Sequence, residues 1–287
     1  MPPHSRGGLG HVLDRTRFEA CLNAVVHQRS GIHTIPGTLL DFERTGTGWS
    51  LDVGTREHIR ARVLIDATGR RAMIGRRLSA HHRLDRLIAA YCVLHPIVED
   101  VDPTPATLIE AVENGWWYAT LLADRRLAVN FYSDPDLMPR GIGSNGSQWR
   151  QLAERTLYIA RWIETAGYEL SQPPRLATAG TAWLDTAAGA DWLAVGDAAA
   201  SFDPLSAHGM TTALWTGLQA ADAAQRVIAG DVSAPETYAT RVRAGMEHFR
   251  REREAIYSRE TRFHGHPFWR RRQGVLDRLG PSHDRTD

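Results

Sequence analysis

Over residues 16–26 the apolar side chains Phe18, Cys21, Leu22, Val25 and Val26 recur at intervals of three and four, which predicts an amphipathic helix ended by Gly31. The pattern then changes to alternation. TLLDFER (38–44) and WSLDVG (49–54) flank the turn TGTG, and EHIRARVLIDATG (57–69) follows with a continuous apolar Val63-Leu64-Ile65, so a hairpin or meander is expected to lead into a buried strand. Between Gly69 and Gly196 lie 126 residues, more than a crossover helix needs, which predicts an inserted domain. LIAAYCVL (87–94), TLIEAVE (107–113), GWWYATLL (115–122) and RLAVNFYS (126–133) carry the β-branched and aromatic residues of an antiparallel sheet. One helix is expected over 147–166, short strands over 183–186 and 192–195, and a long helix over 209–229 with a buried stripe of Ala213, Leu214, Gly217, Leu218, Ala221 and Ile228. A second helical stretch covers 235–263, and the last twenty residues read as a loosely ordered Arg-rich tail. The resulting division is 1–84, 85–190, 191–232 and 233–287.

Charge and composition then narrow the function classes. The 34 basic and 33 acidic residues nearly cancel, so no bulk field draws the chain to nucleic acid or to an anionic membrane. Cys21 and Cys92 are far apart and lack CxxC spacing, which argues against a disulfide scaffold or structural zinc and for a reducing, cytoplasmic setting. No apolar run spans a membrane, and Met1 to Gly10 is polar and Gly-rich, without a signal-peptide core. All the basic residues are Arg; with no Lys, Schiff-base and P-loop lysine chemistry have no residue to use.

Three segments could hold a phosphate-bearing cofactor. GIGSNG (141–146) fits G-x-G-x-x-G, but SDPDLMPR rather than a buried strand precedes it, so a plain loop is the favoured reading. The near matches at Gly8 and Gly46 lack the third glycine. WLAVGDAAASFDPLSAHGMTTAL (192–214) is more specific, because a strand ends at Gly196-Asp197 and a loop through Pro204 leads to a helix starting near Gly209. Asp197 at a strand's carboxyl end can accept hydrogen bonds from ribityl hydroxyls, and Gly196 allows close approach. The N–H groups of Gly209, Met210 and Thr211 at a positive helix end suit the negative charge of a reduced flavin ring. IDATGR (65–70) supplies a second strand end, where Gly69 leaves room for an adenosine pyrophosphate.

IDATGR, then ENGWWY (113–118), then GDAAASFDPLSAHGM (196–210) and REREAIYSRETRFHGHPFWRRR (251–272) occur in an order that resembles flavin-dependent monooxygenases related to tryptophan halogenases. The resemblance is to FAD-dependent flavoproteins that mature tryptophan-derived quinone cofactors in amine oxidases and dehydrogenases, and it runs over essentially the whole chain. It implies an α/β fold: a doubly wound, Rossmann-like FAD-binding domain with an inserted antiparallel substrate sheet and C-terminal helices. The implied chemistry uses reduced FAD and O₂ on tryptophan or peptide side chains, with a flavin reductase or NAD(P)H as reductant. Two departures matter. The opening strand, G-x-G-x-x-G and ribose carboxylate of such flavoproteins have no counterpart here, so the FAD-binding domain reads as incomplete at its N-terminus and the chain alone is expected to hold FAD weakly. The halogenase lysine and W-x-W-x-I-P signature are also absent, which disfavours halogenation.

Trp116 and Trp117 point to opposite faces of their strand, so one at most can line a substrate cavity while the other packs inside. His208, at the start of the flavin helix, is the candidate for donating to the flavin or moving a proton, against a purely structural role. Residues 241–287 carry 12 Arg and 7 acidic residues, but their interleaving as Arg-Glu-Arg-Glu at 251–254 predicts a solvated, salt-bridged helix rather than a nucleic-acid surface. His264 and His266 have no ligand partners at metal spacing. The leading reading is an FAD-dependent monooxygenase acting on an aromatic small molecule or peptide. The alternatives are a non-catalytic flavoprotein fragment or partner module, an FAD-dependent reductase or dehydrogenase of an isoprenoid or quinone, and a flavin halogenase.

Overall fold

A computed structural model describes residues 13–54, 58–97 and 106–273. The Met1 to Gly10 stretch and residues 274–287 of the Arg-rich tail lie outside the described residues, whereas its first residues are ordered, with Phe268, Trp269 and Arg272 buried. The chain divides into two compact units, one formed by residues 25–85 and 180–251, the other by 1–24, 86–179 and 252–287.

Helix α1 (Arg15–His27) forms where the periodicity predicts, yet none of its residues is buried. Its apolar stripe of Leu22, Val25 and Val26 stands exposed among the described residues.

The unit of residues 25–85 and 180–251 begins with a meander of β1 (Asp41–Thr45), β2 (Gly48–Asp52) and β3 (His58–Ala61), all antiparallel. Next is β4 (Leu64–Asp66), then the short helix α2 (Gly75–Leu78) and β5 (His81–Arg83).

The second unit is built on a six-stranded antiparallel sheet. Its strands are β6 (Ile88–Pro96), β7 (Thr107–Val112), β8 (Gly115–Leu121), β9 (Leu127–Ser133), β10 (Tyr168–Leu170) and β11 (Arg175–Thr178), in the order β10-β6-β9-β8-β7 with β11 also on β6. The four long strands coincide with the four runs chosen for their β-branched and aromatic content. One face is covered by α3 (Gly146–Ala153) and α4 (Tyr158–Thr165), which bury Trp149, Ile159 and Ile163 against Trp117, Val129 and Phe131.

The single helix expected over 147–166 is therefore two helices. The break has a physical cause: the Glu110 carboxylate of β7 accepts hydrogen bonds from the N–H groups of Leu157, Tyr158 and Ile159, making a new helix start favourable there. GIGSNG is a loop whose Asn145 caps α3 by accepting from the Gln148 N–H at 3.0 Å.

The chain then returns to the first unit through β12 (Ala182–Leu184), β13 (Ala188–Gly189), β14 (Trp192–Ala194) and β15 (Ala200–Ser201). Strand β14 lies parallel to β4, pairing Trp192 with Leu64, Leu193 with Ile65 and Ala194 with Asp66. The long helices are α5 (Gly209–Ile228) and α6 (Ala234–Tyr257), and α7 (Pro267–Arg270) follows in the second unit.

The expected buried stripe of α5 is on the wrong side. Thr216, Ala220 and Ala223 are buried, while Leu214, Leu218 and Ile228 are among the exposed large apolar residues. The Gly196 N–H donates to the Thr216 hydroxyl at 2.8 Å, and this bond fixes which side of α5 meets the strand end.

Nor is the Arg-Glu-Arg-Glu segment simply a solvated face. Arg253 is buried with its guanidinium 4.7 Å from the centre of the Tyr257 ring. Arg272 is buried as well, 3.8 Å from the Phe268 ring centre and paired with Asp134 at 2.5 Å.

Candidate functional site

The parallel pair β4 and β14 ends in two tight turns, and the side chains that shape them are fixed by hydrogen bonds. Asp66, the last residue of β4, is fully buried. Its Oδ1 accepts from the Thr68 N–H at 2.9 Å and the Thr68 hydroxyl at 2.6 Å, while its Oδ2 accepts from the N–H groups of Ile74 at 2.9 Å and Gly75 at 2.8 Å. The carboxylate thus sets the whole IDATGR turn. Gly69 sits at φ +64°, and nothing lies within 4 Å of where its Cβ would be, so the turn presents bare backbone with open space before it.

After β14 the chain turns at Gly196, φ +54°, whose N–H donates to the Thr216 hydroxyl of α5 at 2.8 Å. The Thr216 hydroxyl in turn donates a hydrogen bond to the Thr212 carbonyl at 2.7 Å, which seats α5 against the strand end. Asp197 follows with its carboxylate partly exposed and 3.4 Å from Arg70 Nε. The same guanidinium donates to the carbonyls of Gly180 at 2.5 Å and Phe202 at 3.2 Å. Arg70 therefore joins IDATGR to both ends of the GDAAASFDP loop.

Pro204 opens a single 3₁₀ turn whose preceding Asp203 accepts from the Leu205 N–H at 3.0 Å. Ala207 at φ 53° then reverses the chain into α5. His208 takes the position before the helix and makes no side-chain cap to it. The first intrahelical bond is from Thr212 N–H to the His208 carbonyl at 2.9 Å, so the N–H groups of Gly209, Met210 and Thr211 face outward from the helix start. A Cβ on Gly209 would meet nothing within 4 Å.

These features suit a flavin nucleotide. Bare glycine backbone, a carboxylate for hydroxyl donors and a helix N-terminus for an anionic ring stand on one unit, at the carboxyl ends of adjacent parallel strands. Gly69, Gly196, Asp197, Pro204 and the α5 start, singled out in the sequence, lie at these two strand ends; Asp66, Arg70 and Thr216 are not singled out there, and the main-chain partners of Arg70 and the Gly196 partner of Thr216 are far along the chain. Among the described residues no three His, Cys, Asp or Glu side chains cluster to hold a metal ion, and no helix is long and apolar enough to cross a membrane.

Trp116 and Trp117 lie in the other unit and are both buried. Trp117 packs on Phe131 and Trp149, at ring-centre distances of 4.9 and 5.4 Å. Trp116 stacks on Tyr132 at 4.0 Å and donates its indole N–H to the Tyr257 hydroxyl at 3.1 Å. The stacking faces of Trp116 and Trp117 are thus taken up by the protein's own rings. Cys92 is also buried here, and burial pushes its thiol up to about 12, which keeps it protonated and unreactive at neutral pH.

Residues 5–279 match the family model of tryptophan halogenase. The chain belongs to the tryptophan halogenase family. A curated relative in sequence is LodB of Marinomonas mediterranea, an FAD-dependent oxidoreductase by name, 25% identical over 272 residues that cover 92% of this chain and 72% of LodB. Among solved structures, the halogenase-family chain superposes on the peptidyl tryptophan dihydroxylase QhpG with a TM-score of 0.73 at 24% identity, covering 92% of this chain and 59% of QhpG. It superposes on the flavin-dependent halogenase CmlS with a TM-score of 0.77 at 18% identity, covering 92% of this chain and 50% of CmlS. The chain thus spans between half and three-fifths of the length of these two structures. Its fold is the mixed α/β, Rossmann-like fold of FAD-dependent flavoenzymes.

Proposed function

We propose that this chain works as an FAD-dependent oxidoreductase that hydroxylates an electron-rich aromatic ring, with tryptophan in a peptide as the favoured substrate. The observation that supports it is the joint presentation of Gly69, Asp197 and the α5 N-terminus at the ends of β4 and β14. LodB carries FAD in its name and QhpG the oxidation of peptidyl tryptophan, and the proposal brings both to this chain.

When bound, reduced FAD supplies two electrons to O₂, so that one oxygen atom enters the ring C–H bond and the other leaves as water with two protons; NAD(P)H or a separate flavin reductase provides the electrons. The chain's own residues bind and orient. Asp197 accepts from ribityl hydroxyls, Gly69 admits the pyrophosphate to bare backbone, and the Gly209, Met210 and Thr211 N–H groups stabilise negative charge by about 0.3–2 kcal/mol. Arg70 holds Asp197 in position, and Asp66 holds the Gly69 turn. His208 stands at the helix start, where an imidazole can give or take a proton beside a bound ring.

Mass spectrometry tests the proposal. A tryptophan-containing peptide incubated with the protein, FAD, reductant and O₂ should gain oxygen. Incorporation of chlorine or bromine in the presence of halide, or no change in the peptide while FAD is reduced and reoxidised, would overturn it.

A further inference from the structure

We propose that the sheet face opposite α3 and α4 carries an indole-binding slot, in which Tyr91 and Tyr118 clasp the ring and the Asn130 side-chain carbonyl accepts its N–H. The inference rests on the aromatic-substrate reading above and names the residues that choose the ring.

The register of the sheet places these three residues in one line. Asn130 of β9 pairs with Tyr91 of β6 on one side and with Tyr118 of β8 on the other. Their neighbours along each strand, Ala90 and Cys92, Trp117 and Ala119, Val129 and Phe131, belong to the core beneath α3 and α4. Strand alternation therefore turns Tyr91, Asn130 and Tyr118 to the opposite face together. None of the three is buried, and Tyr91 is 37% exposed.

Spacing and chemistry specify the occupant. Tyr91 and Tyr118 stand two strand spacings apart, about 9.5 Å. A planar ring in contact with both needs roughly 7–8 Å, twice a carbon contact distance of about 3.5–4.0 Å, so one ring fits between them. The floor is polar on one side only. Asn130 Nδ2 donates to the Tyr132 hydroxyl at 3.1 Å, and its Oδ1 accepts no hydrogen bond among the described residues.

That orientation is anchored from below. Tyr132 stacks on Trp116, and Trp116 is tied to the buried Tyr257 hydroxyl. With one amide N–H given to Tyr132 and the amide oxygen open, the side chain can accept an N–H. An indole between two tyrosine faces provides it, whereas a phenyl ring does not.

Binding of N-acetyltryptophanamide and its 1-methyl derivative to the full chain, followed by saturation-transfer NMR and equilibrium dialysis without flavin, tests the slot. The wild-type protein should bind N-acetyltryptophanamide about 3- to 10-fold more tightly than the 1-methyl analogue, the range expected for one neutral hydrogen bond. Asn130→Leu should abolish that preference, and Tyr91→Ala or Tyr118→Ala should weaken both ligands. Equal binding of the two ligands by wild type, failure to bind either, or a preference that survives Asn130→Leu would overturn the proposal. The wild-type comparison involves no variant, so misfolding cannot mask the result. Oxygenation of a peptide with equal affinities would remove the slot and leave the oxygenase reading, while N–H preference without oxygenation would do the reverse.

Discussion

Arg70 Nε stands 3.4 Å from Asp197 Oδ2, and through the same guanidinium Arg70 reaches the carbonyls of Gly180 and Phe202. One side chain after β4 thus holds the carboxylate after β14 and pins the loop that leads to α5. Arg70→Met should take the Arg70 donor from the Phe202 carbonyl, leave the Gly180 carbonyl with the Ser201 hydroxyl at 3.3 Å, and release Asp197. Urea unfolding should show a loss of about 1.5–3 kcal/mol, the scale of one hydrogen bond to a charged group. Arg70→Lys should recover part of that loss, because an ammonium keeps the charge but not the planar fork.

Asp66 tests the second turn. Its four accepted hydrogen bonds fill both oxygens, and all four donors come from Thr68, Ile74 and Gly75. Asp66→Asn replaces one buried acceptor with an NH₂ group facing other donors. A loss of about 2–4 kcal/mol in the unfolding free energy is expected. An unchanged urea midpoint would contradict the role assigned to this carboxylate.

Gly196→Ala tests the contact between strand end and helix. A Cβ at φ +54° costs about 1–2 kcal/mol by itself, and at 3.3 Å from the Ala213 Cβ it also presses on α5. The variant should unfold at lower urea concentration than wild type and bind FAD more weakly. Gly69→Ala should show the backbone cost alone, because its Cβ would meet nothing within 4 Å.

In the second unit, stability should carry a pH signature from Asp134. Burial raises this carboxyl, but the Arg272 and Arg271 guanidiniums outweigh burial and hold it below its usual range. A depressed folded value contributes stability that is fully present above the unfolded value of about 3.9 and is lost as pH falls through the folded one. Wild type should therefore lose more stability between pH 5 and pH 3 than Asp134→Asn does. At pH 7 the variant should be less stable than wild type, because the buried Arg272 loses its 2.5 Å ion pair with Asp134. Urea midpoints across that pH range measure both effects.

The sequence made the elements legible wherever a local pattern decides them. The four long strands of the six-stranded sheet alternate or carry β-branched and aromatic runs, and GD followed by a helix start is visible as a string. What it hid depends on partners far along the chain. Glu110 divides a helix 47 residues later, and Arg70 closes on carbonyls 110 and 132 residues away. The buried face of α5 was hidden for another reason: hydrophobicity points to Leu214 and Leu218, whereas the hydrogen bond from Gly196 to Thr216 turns the side with Thr216, Ala220 and Ala223 inward. Asn130 carries no motif, and only the register that sets it between Tyr91 and Tyr118 gives it a role.

The central claim is that the ends of β4 and β14 hold FAD through Asp197. Titration of FAD into the wild-type chain and into Asp197→Ala, read by flavin fluorescence, tests it most directly. Wild type should bind saturably, at micromolar or weaker affinity, and the variant should bind at least tenfold more weakly, because a charge-assisted hydrogen bond worth about 1.5–3 kcal/mol is lost. Equal affinities for the two proteins, or no binding by wild type, would contradict the claim.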